Sequence, residues 1–121
     1  MKILGIDPGY ETTGYGMIEK NGTTQIKMLS FGWIKTSKDV EQNTRLKSIY
    51  KQITTILNKN LPDVIAIEKL FFYNNAKTAM RVSEAIGVIR LAACEKKIET
   101  HDYAPLSVKA VVAKNGRAKK E

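Results

Sequence analysis

The sequence is poor in the residues that most catalytic and metal-binding chemistry uses. One cysteine, Cys94, excludes an intrachain disulfide, and a cysteine-based zinc site would need other ligands. His101 is the sole histidine, which argues against a His-rich metal centre and leaves carboxylates, lysines and hydroxyls to carry any chemistry. No apolar run approaches the roughly 20 residues that a membrane span requires. The opening run, Met1 to Asp7, meets an acid and then Pro8 before a signal-peptide apolar core forms, so a cytoplasmic protein is expected. Acidic residues are also scarce. Twelve Asp and Glu stand against twenty Lys and Arg in 121 residues, a net charge of +8. That surplus points to a polyanionic partner, nucleic acid before an anionic membrane surface.

What is present fits one α/β domain, with no repeat, low-complexity tract or internal linker. Residues 2–7 form a short apolar run closed by Asp7-Pro8-Gly9, the pattern of a buried strand entering a turn. Residues 14–19 and 24–36 have strand composition, and Asn21-Gly22 between them marks a hairpin. Over residues 40–59 the period changes to that of a helix: Leu46, Ile49, Tyr50, Ile53, Ile56 and Leu57 recur at helical spacing, with Arg45, Lys47, Lys51 and Lys59 between them. Pro62-Asp63 ends it. Val64-Ile65-Ala66-Ile67 is unbroken apolar sequence ending in Glu68, which suggests a central strand covered on both faces.

A second helix is expected over 76–96 with Asn75 as its N-cap. Its apolar surface (Val82, Ala85, Ile86, Val88, Ile89, Ala92, Ala93) is wider than one stripe. Either a long loop covers the excess or a second subunit does. A fifth strand over 98–102 and a short helix over 106–114 complete the order βββαβαβα, a mixed sheet flanked by helices. Trp33 in the third strand and Cys94 in the second helix read as core and structural residues. His101 reads as a surface or strand-end residue.

The informative feature is where isolated acids fall. Asp7 closes the first strand and Glu68 the fourth. A strand–helix–strand connection allows those two strands to lie parallel, and adjacent strands would bring their ends to within about 5 Å laterally. Open α/β sheets place ligand sites at such ends. Two carboxylates there are suited to Mg²⁺ or Mn²⁺ rather than zinc, and paired cations suit phosphodiester hydrolysis. Acids that merely punctuate strand ends are the other reading, which composition alone leaves open; the coincidence of Asp7 with Glu68 in so basic a chain favours a site. Three consecutive aromatics, Phe71, Phe72 and Tyr73, cannot all face one core, because neighbours in an extended segment point to opposite sides. One exposed ring flanked by Lys69 and Lys77 suits stacking on an unpaired base, and a purely packing cluster is the other reading. The tail carries Lys109, Lys114, Arg117, Lys119 and Lys120. It is either a solvated face or a phosphate-binding one.

Ile3-Leu4-Gly5-Ile6-Asp7-Pro8-Gly9, followed by Thr13-Gly14-Tyr15-Gly16, resembles the opening of the RuvC-type Holliday junction resolvases. So do Ala66-Ile67-Glu68 with Phe71-Phe72, Asn75-Ala76 and Ala79, and Tyr103-Ala104-Pro105 with Val108-Lys109. Val111-Val112 and Gly116-Arg117-Ala118 continue the match. The Gly-Ile-Asp-x-Gly turn alone is shared with sugar kinases and chaperone ATPases, whereas the ordered set is specific. The resemblance implies an RNase H-like fold with a mixed five-stranded sheet, its first three strands antiparallel. It also implies a homodimer, here through the 76–96 helix, and Mg²⁺-dependent nicking of four-way DNA junctions in recombination and repair. A branch-migration helicase complex is a further partner that it suggests.

The resemblance makes Asp7 and Glu68 catalytic and metal-binding, and Phe71 the wedge at the junction's exchange point. It sets Lys109 and Lys120 near the scissile phosphate. Lys69, where the family usually has glutamine, and Lys77 and Arg81 near the second helix's start are expected as further DNA contacts. The family continues into a helix bearing two more metal-site acids. The sequence ends at Glu121, so a single domain over residues 1–121 lacking that helix is expected, and Asp102, at a strand end the family does not use for metal, is no substitute.

Two rival readings follow. One is a junction-binding module that does not cut. The other is a fragment of an actin-like or sugar-kinase-like ATPase, disfavoured because Tyr10-Glu11 rather than Ser or Thr follows Gly9, and a carboxylate facing phosphates is unfavourable.

Overall fold

The computed structural model describes residues 1–69 and 75–103. The expected helix over 106–114, and the site residues Phe71, Lys109 and Lys120, lie outside the described residues.

Three strands open the chain: β1 (Lys2–Asp7), β2 (Thr12–Asn21) and β3 (Gln25–Lys35). Helix α1 (Gln42–Asn60) leads to β4 (Val64–Glu68), and helix α2 (Ala76–Glu95) leads to β5 (Glu99–Tyr103). The sheet runs β3-β2-β1-β4-β5. The first three strands are antiparallel neighbours, whereas β4 lies parallel to β1 and β5 parallel to β4. This is the expected mixed sheet, with the helical crossover supplying the parallel pairing.

Local chemistry explains the ends of the elements. Gly22 takes a left-handed φ of 69° in the β2–β3 turn, a conformation glycine adopts without steric cost. Asn75 caps α2, its side-chain oxygen accepting from the backbone N–H groups of Lys77 (2.9 Å) and Thr78 (3.3 Å). Leu61 ends α1 in a left-handed conformation, φ 47°, and donates its N–H to the Leu57 carbonyl at 2.9 Å. Pro62 then prevents continuation of the helix. The starts of β1 and β4 are joined through Asp63, which accepts from Lys2 N–H (2.7 Å) and donates its own N–H to the Lys2 carbonyl (2.8 Å).

The core lies between one face of the sheet and the two helices. Leu4, Ile6, Met17, Ile34, Ile65 and Ile67 pack with Ile49, Ile53 and Leu57 of α1 and Ala85, Ile89, Ala92 and Ala93 of α2. Full burial of an aliphatic side chain of this size stabilises by about 1.5–3 kcal/mol.

Three expectations are corrected here. Trp33 is not core; it is 58% exposed. Its neighbour Ile34 points to the helices, so alternation turns Trp33 to the other face of an edge strand, edge-to-face with Phe31 at 6.0 Å. Arg45 does not lie among the solvated lysines of α1 but heads its buried stripe, Arg45-Ile49-Ile53-Leu57, at 3% exposure. The first turn of the helix reaches past the sandwich of sheet and helices to the loops at the strand ends, where its partners are oxygens. Strand β4 is central, yet only Ile65 and Ile67 are fully buried, with Val64 and Ala66 half-buried on the face away from the helices. Cys94 is exposed.

Candidate active site at the β1 and β4 ends

Asp7 ends β1 and Glu68 ends β4 because each closes an apolar strand at the point where the backbone leaves the sheet. The parallel register pairs Ile3 with Val64 and Ile6 with Ile67, so Asp7 and Glu68 each stand one residue beyond the last of these partners. Adjacent strands are about 4.8 Å apart, which sets the lateral spacing of the two positions. Ile6 and Ile67 face the helices, and alternation turns both carboxylates to the opposite face. Glu68 is 6% exposed and Asp7 half-buried. Around the pair, Asp7 registers with Gly14, Gly14 with Trp33, and Glu68 with Tyr103. One transverse row of the sheet thus reads Trp33, Gly14, Asp7, Glu68, Tyr103, with side chain removed at Gly14 and exposed aromatics at both edges.

The turn after Asp7 is tightly held. Pro8 is buried. A Cβ on Gly9 would stand 2.2 Å from the Thr12 carbonyl oxygen, so only glycine fits this return of the chain. Tyr10 is gripped from two helices. Arg45 of α1 donates through Nη2 to the Tyr10 carbonyl and through Nε to Thr36 Oγ1 at 3.3 Å. Its guanidinium lies 4.5 Å from the centre of the Tyr10 ring. Arg81 of α2 donates to the Tyr10 hydroxyl at 3.3 Å. Burial alone would raise the Tyr10 phenol, but hydrogen bonds and charge from Arg45 and Arg81 outweigh it and hold the phenol below its usual value.

The other expected residues are placed as follows. Lys69 is exposed and donates its backbone N–H to the Tyr103 carbonyl at 2.8 Å, extending the β4–β5 ladder past Glu68. Lys77 is exposed in the first turn of α2, and Arg81 follows one turn later on the Tyr10 side. Asp102 sits beside Ile67 in register and pairs with Arg90 of α2, on the helix side of the sheet and away from the carboxylate pair. Its exclusion from the site is therefore a matter of which face it takes. His101 is exposed and lies 3.3 Å from Glu99. Among the described residues no group of three or more His, Cys, Asp or Glu converges as a metal centre.

The donor set at the β1 and β4 ends is two carboxylates side by side. A hard divalent cation is the partner that carboxylate oxygens on neighbouring strand ends suit. Oxygen-only donors fit Mg²⁺ or Mn²⁺, so the residues present are chemically suited to the cation expected. Sequence reasoning did not find Arg45 or the grip on Tyr10. The available signal was spacing, since Arg45 precedes Ile49, Ile53 and Leu57 at intervals of four.

Comparison with known proteins agrees on one family. Residues 3–121 match the family model described as crossover junction endodeoxyribonuclease RuvC. The proteins of that name from Caldicellulosiruptor saccharolyticus and Thermotoga petrophila are 42% and 46% identical to this chain. The first alignment covers 99% of this chain and 72% of the relative, the second 100% and 73%. Among solved structures, T. thermophilus RuvC in complex with a Holliday junction substrate superposes with a TM-score of 0.80 at 28% identity, over 91% of this chain and 68% of that one. The yeast mitochondrial Holliday junction resolvase Ydc2 shares the fold, with a TM-score of 0.69 at 16% identity over 87% of this chain and 51% of that one. Neither the ATPase-fragment reading nor the non-cutting module is favoured by these matches.

Proposed function

The chain belongs to the crossover junction endodeoxyribonuclease RuvC family of DNA-cleaving hydrolases, and on that premise we propose that it resolves four-way junction DNA at the Asp7–Glu68 end of its sheet. The observation that carries the proposal is the parallel β1–β4 pairing, which brings two carboxylates from distant parts of the sequence to one strand-end edge. Asp7 and Glu68 would hold Mg²⁺, with Mn²⁺ as a substitute. Paired cations bound there would supply activation of a water for attack on the phosphodiester and stabilisation of the leaving 3′ oxygen.

The remaining residues bind and orient DNA. Lys69 and Lys77, exposed on either side of the segment after β4, anchor phosphates. Arg81 adds a cation at the same edge, with its position set by Tyr10. By resemblance, Phe71 stacks at the exchange point while Lys109 and Lys120 neutralise charge at the scissile phosphate.

Resolution requires two nicks, and a second copy of the chain docked through α2 supplies the second centre. Support comes from the exposed line Met80, Gly87 and Leu91 on that helix, with Leu91 55% and Met80 69% exposed. Gly87 leaves open space where a side chain would stand, which permits close approach of a partner helix. A branch-migration helicase complex as the supplier of junctions, and the cytoplasm as the place of work, complete the reading. No helix among the described residues is long and apolar enough to cross a membrane.

The test is cleavage of an end-labelled synthetic four-way junction beside a linear duplex of the same sequence, in Mg²⁺ and in EDTA. Paired nicks on opposing strands of the junction, absent from the duplex and from EDTA, are expected. Equal cutting of duplex and junction, or cutting in EDTA, would overturn the proposal.

A further inference from the structure

Arg45 is an unusual residue to find at 3% exposure, because a guanidinium leaves water only when its donors are satisfied. The acceptors it meets are neutral oxygens: the Tyr10 carbonyl, Thr36 Oγ1 at 3.3 Å and Gln42 Oε1 at 3.4 Å. Each belongs to a different segment. Tyr10 lies in the turn after β1, Thr36 follows β3, and Gln42 begins α1. Two further bonds close the cluster, Thr36 N–H to the Glu11 carbonyl at 2.9 Å and Gln42 Nε2 to the Arg81 carbonyl at 3.3 Å. Core packing does not call for a charge here, since the stripe below it is Ile49, Ile53 and Leu57. A leucine in that stripe would leave the carbonyl and the hydroxyl without their donor.

Tyr10 is held at three points: the carbonyl by Arg45, the ring face by the Arg45 guanidinium, and the hydroxyl by Arg81. Tyr10 is three residues from Asp7, and the two residues between have little slack. Pro8 has a fixed φ, and Gly9 is pressed against the Thr12 carbonyl. A displacement at Tyr10 is therefore passed back to Asp7 rather than absorbed in the turn.

We propose that Arg45 is a positioning residue for Asp7, acting through Tyr10 to fix the carboxylate against Glu68. This rests on the reading of Asp7 as a cation ligand. Outer-sphere groups that orient a ligand typically change metal affinity or activity by about 10–100-fold when removed. Arg45→Met fills a similar volume without donors, and Arg45→Lys keeps the charge on a single donor nitrogen but not the fork that spans Tyr10 and Thr36.

The experiment has three readouts on the full chain. Hydrogen–deuterium exchange of residues 8–12 reports the turn itself. Mn²⁺ binding by electron paramagnetic resonance, without DNA, reports the carboxylate pair. Junction binding in EDTA reports the DNA surface. Arg45→Met is expected to speed exchange in residues 8–12 with β1 and β4 still protected, and to weaken Mn²⁺ binding about tenfold, with junction affinity in EDTA falling less than that as Arg81 loses its hold on Tyr10. Arg45→Lys is expected between it and wild type, and decides the matter by the same readouts should Arg45→Met fail to fold. Unchanged exchange in residues 8–12, or unchanged Mn²⁺ affinity beside a lowered melting temperature, would overturn the positioning role. Asp7→Asn is the separating control. If it binds Mn²⁺ as wild type does, the assignment of Asp7 as a ligand fails, whereas faster exchange in Arg45→Met still establishes the grip on the turn.

Discussion

Asp7→Asn and Glu68→Gln are each expected to slow junction cleavage by about 10³-fold or more while leaving junction binding in EDTA near wild type. Both amides keep the shape of the side chain and remove the anionic oxygen, so a loss of cleavage reports charge rather than packing. The two substitutions should also be strongly non-additive, because a cation held by two carboxylates is lost when either one goes. Glu68 is the more demanding case because it is buried. A neutral amide at that position costs less to bury than a carboxylate, so the folded state should persist. Single-turnover rates on a labelled junction, with thermal melts of each variant alongside, make the measurement. A Glu68→Gln protein that loses cleavage only in proportion to its loss of folded material would show a structural carboxylate.

Gly9→Ala is expected to lower cleavage by about 10²-fold, far more than a single methyl group costs on an ordinary surface turn. The added Cβ would stand 2.2 Å from the Thr12 carbonyl oxygen, and backbone faces backbone there, so no side-chain rotation relieves it. The chain must open between Asp7 and Thr12. Both ends of that segment are held in the sheet, Asp7 opposite Gly14 and Thr12 opposite Lys35. The strain consequently falls on the carboxylate at the strand end, and displacement of a catalytic group by about 1 Å is enough for a loss of that size. Stability should fall too, by about 1–3 kcal/mol as for other overpacked sites. Cleavage at the wild-type rate by a folded Gly9→Ala protein would uncouple the shape of the turn from the reaction centre.

Much of this arrangement was legible in the sequence because its signals are local. The apolar run 2–7 closed by Asp7, the run 64–67 closed by Glu68, the Asn21-Gly22 turn and the Asn75 cap each depend on a few neighbouring residues, and the structure has them in place. The parallel pairing of β1 with β4 could be anticipated because a helical crossover permits it. Trp33 and Arg45 were misread for the opposite reason. The face that Trp33 takes depends on β3 being the sheet's edge and on both helices lying on the other side, which composition does not reveal. Arg45 has helical spacing with the core residues of α1, but its charge suggests solvent. Only the convergence of Tyr10, Thr36 and Gln42 explains why it is buried.

The most direct test of a cation at the Asp7–Glu68 pair uses the DNA rather than the protein. A junction with sulfur in place of a non-bridging oxygen at the scissile phosphate presents a softer ligand, which Mn²⁺ tolerates better than Mg²⁺. Cleavage of this junction should be strongly impaired in Mg²⁺ and restored in Mn²⁺, with the unmodified junction cut in both. Equal impairment in the two metals, or none in Mg²⁺, would contradict a reaction centre in which Asp7 and Glu68 hold the cation against the phosphate.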